Sequence, residues 1–214
     1  MPEDLQRGDW HDRALIAAGI AAPVVYAATV IIGGALRPGY SHIANAISEL
    51  IERGEGAALE PAFLLYNLLV LLFGGGLLLE AQFFGRARQL SAIMVAAGGA
   101  LGLVMAWFPQ DPLGTPMTVT GAGHVVLAAF MSITSIAAVI ADAVAWWHMD
   151  RRRAAFSARC AGLIVISGLL AAASAATAGP FMGLFERITI GAYLFWMLVT
   201  GIRSLRRHEL AHHV

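Results

Sequence analysis

With 58% hydrophobic and only 13% charged side chains over 214 residues, and a mean hydropathy of +0.71, the chain is too apolar for an ordinary soluble domain, in which about a quarter of residues are charged. Its 14 basic residues are all arginine and balance 14 acids, so no cationic surplus exists to hold a nucleic acid, and no such partner is expected. The single cysteine, Cys160, excludes an internal disulfide and reads as a reduced packing residue beside a basic loop.

Residues 1–13 form a polar, acidic segment. The apolar run behind it is longer than a signal-peptide core of roughly 7 to 15 residues, so it reads as a retained membrane helix. Ala14 to Leu36 carries no charge and can cross a bilayer, which takes ~20 residues, with Pro23 expected to bend it. After the turn Arg37-Pro38-Gly39-Tyr40-Ser41-His42, residues Ile43 to Arg53 place Ile43, Ile47, Leu50 and Ile51 on one helical face and Asn45, Glu49 and Glu52 on the other. This pattern predicts a short amphipathic helix along the membrane surface, with Ser41 as its N-cap.

Pro61 opens the second span, which continues through Asn67 and Gly74-Gly75-Gly76 to about Phe84. The third runs from Leu90 to Phe108 and is stopped by Pro109; its Gly98 and Gly102, four apart, permit close helix contact. Gly121 to Trp147, Ala161 to Ala178 and about Phe185 to Ile202 complete the set. The expected fold is therefore all-α, a polytopic membrane helix bundle of six transmembrane helices over residues 14–203, with a cytoplasmic segment before it and a tail, 204–214, after it.

Short cytoplasmic loops carry the positive excess of a membrane protein. Eleven arginines (7, 13, 86, 88, 151, 152, 153, 159, 203, 206 and 207) fall on one side, and only Arg37, Arg53 and Arg187 on the other. Both termini are expected in the cytoplasm. The edge from Phe108-Pro109-Gln110-Asp111 to His124, the amphipathic segment and the Glu186-Arg187 pair then share the outer face. Glu80 and Asp142 lie near the cytoplasmic ends of their runs and read as boundary residues within reach of Arg86, Arg88 or Arg151.

Ionisable groups at membrane depth are costly and mark functional sites by default. Asp111, His124, Glu49 and Glu186 are the candidate catalytic residues, with Arg187 as an anion clamp and Ser48, Asn67, Tyr40, His42, Trp107 and Phe108 as candidate substrate contacts. The ordinary alternative is an ion-pair network that ties loops together, with the aromatic residues forming an interfacial belt. Three chemistries compete. Ser41 or Ser48 with His124 and Asp111 has the ingredients of a serine hydrolase, but Gly39-Tyr40-Ser41-His42-Ile43 lacks the last glycine of a nucleophile elbow. His42, His124, Asp111, Glu49 and Glu186 offer mixed ligands for a divalent metal without a recognised spacing, so no metal ligand is assigned. Asp111 or Glu186, raised by burial and partnered by His124 beside Trp107, Phe108, Phe181 and Phe185, suits acid–base chemistry on an apolar substrate. His208-Glu209-Leu210-Ala211-His212 matches the zinc-protease pattern, yet it sits at the chain end and reads as a basic continuation of helix six.

Tyr40-Ser41 and Ile47-Ser48-Glu49-Leu50 after the first span, Phe108-Pro109-Gln110-Asp111 after the third, His124 opening the fourth and Glu186-Arg187 opening the sixth resemble the bacterial membrane family catalogued as domain of unknown function 998. The resemblance covers about Ala14 to Leu205. It implies an all-helical integral membrane protein with Ser48, Glu49, Asp111, His124, Glu186 and Arg187 as shared positions, and it implies no activity. The functional expectation is an inner-membrane enzyme acting on a lipid or other apolar substrate. Its alternatives are a non-catalytic lipid-binding, transport or scaffold protein, a metal-dependent membrane hydrolase, and a haem or quinone protein; the sequence specifies neither a cofactor nor an oligomeric state.

Overall fold

The computed structural model describes residues 3–52, 55–82, 84–112 and 114–211, with side chains over 10–52, 56–82, 84–112 and 114–207. Six α-helices carry the chain: α1 (Glu3–Leu36), α2 (Glu60–Ala81), α3 (Arg86–Val104), α4 (Val119–Trp146), α5 (Arg151–Ala176) and α6 (Met182–Ala211). Each is long and apolar enough to span a membrane, and no strand occurs among the described residues. Each helix packs on the next, α6 closes back onto α1, and α4 touches α6 across the ring. The protein is therefore a polytopic membrane helix bundle.

Its interior is lined by Ile16, Phe73, Leu77, Val95, Val139, Ile164, Trp196 and Met197, all essentially inaccessible. Its outer wall exposes Val24, Ile31, Ile32, Leu72, Ile133, Ile166, Leu169 and Phe195, as a lipid-facing surface requires. Lipid tails are as apolar as leucine, so helix association rests on close packing. Gly74 lies against the Ala96 backbone of α3, leaving no room for a Cβ. α2 consequently runs unbroken through Gly74-Gly75-Gly76. Gly98 and Gly102 diverge: Gly98 faces Thr134 of α4, whereas Gly102 lies against the Asn67 side chain of α2.

Several boundaries differ from the sequence expectation. The 3–13 segment is helical and continuous with α1, which also passes through Pro23. α5 begins ten residues earlier than expected, because the Asp150 side chain accepts from the backbone N–H groups of Arg152 and Arg153 (both 3.0 Å) and so caps the helix ahead of its arginines. Residues 151–159 are thus roughly the first two and a half turns of α5 and not a basic loop. The segment after α1 is not a surface α-helix: it is one turn at 41–45 followed by a five-residue 3-10 helix, Ile47–Ile51, with Ile47, Glu49 and Leu50 buried. Ser41 Oγ accepts from the N–H groups of Ile43 and Ala44 and so caps only that first turn.

Candidate functional site

The connections α1–α2, α3–α4 and α5–α6 gather at one end of the bundle, the loop end. There the residues expected to form one cluster divide into two groups. The first joins the 37–52 loop to the start of α6. Arg37, at the foot of α1, donates to the Glu49 carbonyl and pairs with the Glu52 carboxylate. Glu49 points inward, accepting from the Ala46 N–H (2.7 Å) and the Asn45 side-chain amide (2.8 Å). Glu186 accepts from the Ile47 N–H at 2.7 Å, and the Leu184 N–H donates to the Ile43 carbonyl at 2.9 Å. The Arg187 guanidinium donates to the carbonyls of Asn45 (3.0 Å) and Gly183 (2.9 Å) and to the Tyr40 hydroxyl, which in turn donates to the Ala46 carbonyl at 2.9 Å. Burial pushes the Tyr40 hydroxyl above its ordinary pKa, opposed by the hydrogen bond and positive charge of Arg187.

The second group closes the α3–α4 hairpin. Asp111 accepts from the Thr118 N–H (2.7 Å) and hydroxyl (2.8 Å), while Thr118 caps α4 by accepting from the Gly121 N–H at 3.1 Å. Gly121 lies so close to the Asp111 carboxylate that a Cβ there would have to displace it. The buried His124 bonds through Nδ1 to the Phe108 carbonyl at 2.9 Å; a carbonyl can only accept, so Nδ1 carries the hydrogen. In the ring, α2 lies between α3 and α1 and α5 between α4 and α6, and the α4–α6 contact through Asp142 and Trp196 lies at the opposite end.

Of the remaining candidates, Asn67 and Trp107 stand apart, Phe108 belongs to the second group and Ser48 to the loop of the first. Asn67 donates to the Phe63 carbonyl at 2.9 Å within α2, against Gly102 of α3. Trp107 is 72% exposed, in the manner of an interfacial aromatic, whereas Phe108 packs against Gly123. Ser48 is half-buried and enters no hydrogen bond with the described residues. Ser41 and Ser48 belong to the first group and His124 and Asp111 to the second, so the hydrolase triad does not assemble. Among the described residues no three of His, Cys, Asp and Glu are grouped to hold a metal. The His208-to-His212 motif lies outside the described side chains.

A cavity of 260 Å³ adjoins the first group. Tyr26, Ala27, Val30 and Ile31 of α1, Ile190, Gly191 and Leu194 of α6 and Ile47 form its largely apolar walls, which His42 and Arg187 also line. Ile31 is 63% exposed, so the groove reaches the outer wall of the bundle. The Nε–H of Arg187 is buried and has no acceptor among the described residues.

Sequence reasoning put Glu80 and Asp142 within reach of Arg88 but missed the extent of the densest polar cluster that they build at the opposite, arginine-rich end. Asp142 of α4 is fully buried and accepts from Arg88 of α3, Trp146 (3.0 Å), Ser157 of α5 (2.7 Å) and Trp196 of α6 (3.2 Å). Arg153 Nη2 lies 3.6 Å from the same carboxylate, with its guanidinium 3.8 Å above the Trp146 ring. Glu80 of α2 accepts from Ser204 (2.9 Å) and Arg207 (3.2 Å) of α6 and lies 3.5 Å from Arg88 Nη2. Five helices meet here. A signal existed in the sequence: Asp142 lies within an apolar run, and Trp146 follows one helical turn later on the same face.

Six membrane-spanning helices and two polar ends define an integral membrane protein. The chain belongs to the family described as "Protein of unknown function (DUF998)", whose model matches residues 20–203 and so takes in the loop end and most of the arginine-rich cluster. No curated protein and no solved structure matches it.

Proposed function

We propose that this protein binds a membrane lipid in the groove between α1 and α6, with an acyl chain along the apolar walls and a head-group oxygen on Arg187. One observation carries the reading: a lipid-facing apolar groove is lined by Arg187, whose buried Nε–H has no acceptor among the described residues. A buried donor of this kind requires a partner, and an amphiphile entering from the bilayer supplies one. His42 lines the same groove, its ring 5.4 Å from that of Tyr40.

The role is binding and not turnover. Asp111 and His124 are engaged in closing the α3–α4 connection, and Glu49 and Glu186 in holding the 37–52 loop to α6. These four residues act as positioning groups. The distribution of arginines supports a location in the bacterial cytoplasmic membrane with both termini inside. A carboxyl-terminal reporter that is active only in the cytoplasm checks that orientation.

Gly191 offers a clean test, because a Cβ there meets nothing within 4 Å. Gly191→Leu projects a side chain into the groove from an open position. Native mass spectrometry of protein in mild detergent should find a lipid adduct on the wild type and its loss from the variant. A wild type without lipid, or a variant that retains it undiminished, overturns the proposal.

A further inference from the structure

Arg88, Arg153 and Arg207 come from three helices and meet only two carboxylates, Glu80 and Asp142, among the described residues. Asp142 is fully subscribed. Asp142 accepts from four side chains, and Glu80 accepts from Ser204 and Arg207. The groups left over are all donors: Nε of Arg88, Nε of Arg153, and Nε and Nη1 of Arg207 are buried and have no acceptor among the described residues, and Nη2 of Arg88 and of Arg153 reach their carboxylates only at 3.5 and 3.6 Å. Arg88 is completely inaccessible and Arg153 is 4% exposed.

Arginine can neither accept a hydrogen bond nor lose its proton in a protein, so neighbouring arginines cannot relieve one another. Their like charges, held in a bundle of low dielectric, also repel. What the cluster requires is an acceptor with several lone pairs and a negative charge. Water meets the first need and not the second. A tetrahedral oxyanion meets both, because adjacent guanidinium N–H groups form a fork that matches two of its oxygens. The site can be reached: the Arg207 side chain is 32% exposed and leads inward to Arg153 and Arg88.

We propose that this arginine cluster binds one oxyanion of the phosphate class, supplied either as a lipid head group or as the free anion. The site is separate from the α1–α6 groove and stands whether or not that groove holds lipid. Trp146 and Trp196, which both donate to Asp142, place two fluorophores at its wall.

The test uses the full chain, delipidated in a neutral detergent and titrated with sodium phosphate or with dihexanoyl phosphatidic acid, against sodium chloride at equal ionic strength. Tryptophan fluorescence and the thermal midpoint should change saturably. A response to inorganic phosphate identifies a free-anion site; a response to phosphatidic acid alone identifies a lipid head-group site. Arg153→Gln and Arg207→Gln should each weaken binding by about tenfold, as loss of a charge-assisted hydrogen bond requires. Arg152→Gln, exposed at the same end, should bind within about twofold of wild type because it removes only a screened surface charge. The wild-type titration is decisive even if an arginine variant fails to fold: no saturable response to either ligand, or an equal response to chloride, overturns the proposal. So does undiminished binding by folded Arg153→Gln and Arg207→Gln.

Discussion

The two ends of the bundle use charge in opposite ways. At the loop end, carboxylates accept mostly from backbone: Glu49 from Ala46, Glu186 from Ile47 and Asp111 from Thr118, while Arg187 donates to two carbonyls. Charge there fixes the path of irregular chain, which has no ladder to satisfy its own N–H and C=O groups. At the arginine-rich end the partners are side chains from five helices, and charge fixes the helices relative to one another. Removing a residue from the first end should loosen a loop, whereas removing one from the second should loosen the bundle.

The largest effect is expected at Asp142. Asp142→Ala leaves Arg88 and Arg153 without their shared carboxylate in a dry interior, and breaking a buried pair by deleting one partner costs about 3–5 kcal/mol. Thermal unfolding in detergent should fall far below wild type or give no folded peak. A midpoint within a degree or two of wild type would show that Asp142 does not hold the helices together.

That cluster also marks the limit of what the sequence could yield. The six spans were legible because each is an uninterrupted apolar run, and their order predicts an all-helical bundle without reference to any contact. Glu80 and Asp142 read as boundary residues within reach of an arginine, and Arg88, one of the three named, does pair with both; the partners from α5 and α6, Arg153, Ser157, Trp196, Ser204 and Arg207, were not legible. Arg151 to Arg153 read as loop from their charge alone, although Asp150 is a good N-cap and Arg153 can lay its guanidinium on Trp146. Glu49 failed for a related reason. A helical wheel assigns it to the solvent face, but in the 3-10 turn its carboxylate bends inward to the Ala46 N–H. Both errors come from treating charge as a marker of exposure, when a charge with enough partners can be buried.

A smaller effect is expected at Arg187. Arg187→Ala removes donors from Asn45, Gly183 and Tyr40 together, and charged hydrogen bonds of this kind contribute about 1.5–3 kcal/mol. Because they tie loop to helix, hydrogen exchange should accelerate over residues 40–50 while α3 to α5 stay protected. Faster exchange spread evenly over all six helices would erase the contrast between the ends.

Asp111→Asn should cost less, about 0.5–2 kcal/mol, the range for losing a helix cap, since Asp111 holds Thr118 in its capping position. The lipid adduct should survive this substitution, because Asp111 belongs to the α3–α4 group and the groove to α1 and α6. Loss of the adduct from a folded Asp111→Asn protein would join the two loop-end groups into one site.

Tyr40 gives the smallest effect and the only one that pH controls. Its folded pKa is raised above the ordinary value of 10.0, chiefly by burial. A raised value means that the protonated form is favoured in the folded state, so this contribution is complete below pH 10 and lost as pH climbs through the folded value. Ionisation removes the proton that Tyr40 donates to the Ala46 carbonyl, while Arg187 can still donate to the phenolate. Tyr40→Phe should therefore lower stability by about 0.5–1.5 kcal/mol at neutral pH, the net worth of a hydrogen bond, and flatten the alkaline decline between pH 10 and the folded pKa. Paired thermal melts of wild type and Tyr40→Phe from pH 7 upward measure both quantities. If the two curves run parallel through the alkaline range, some group other than Tyr40 governs how the loop end responds to base.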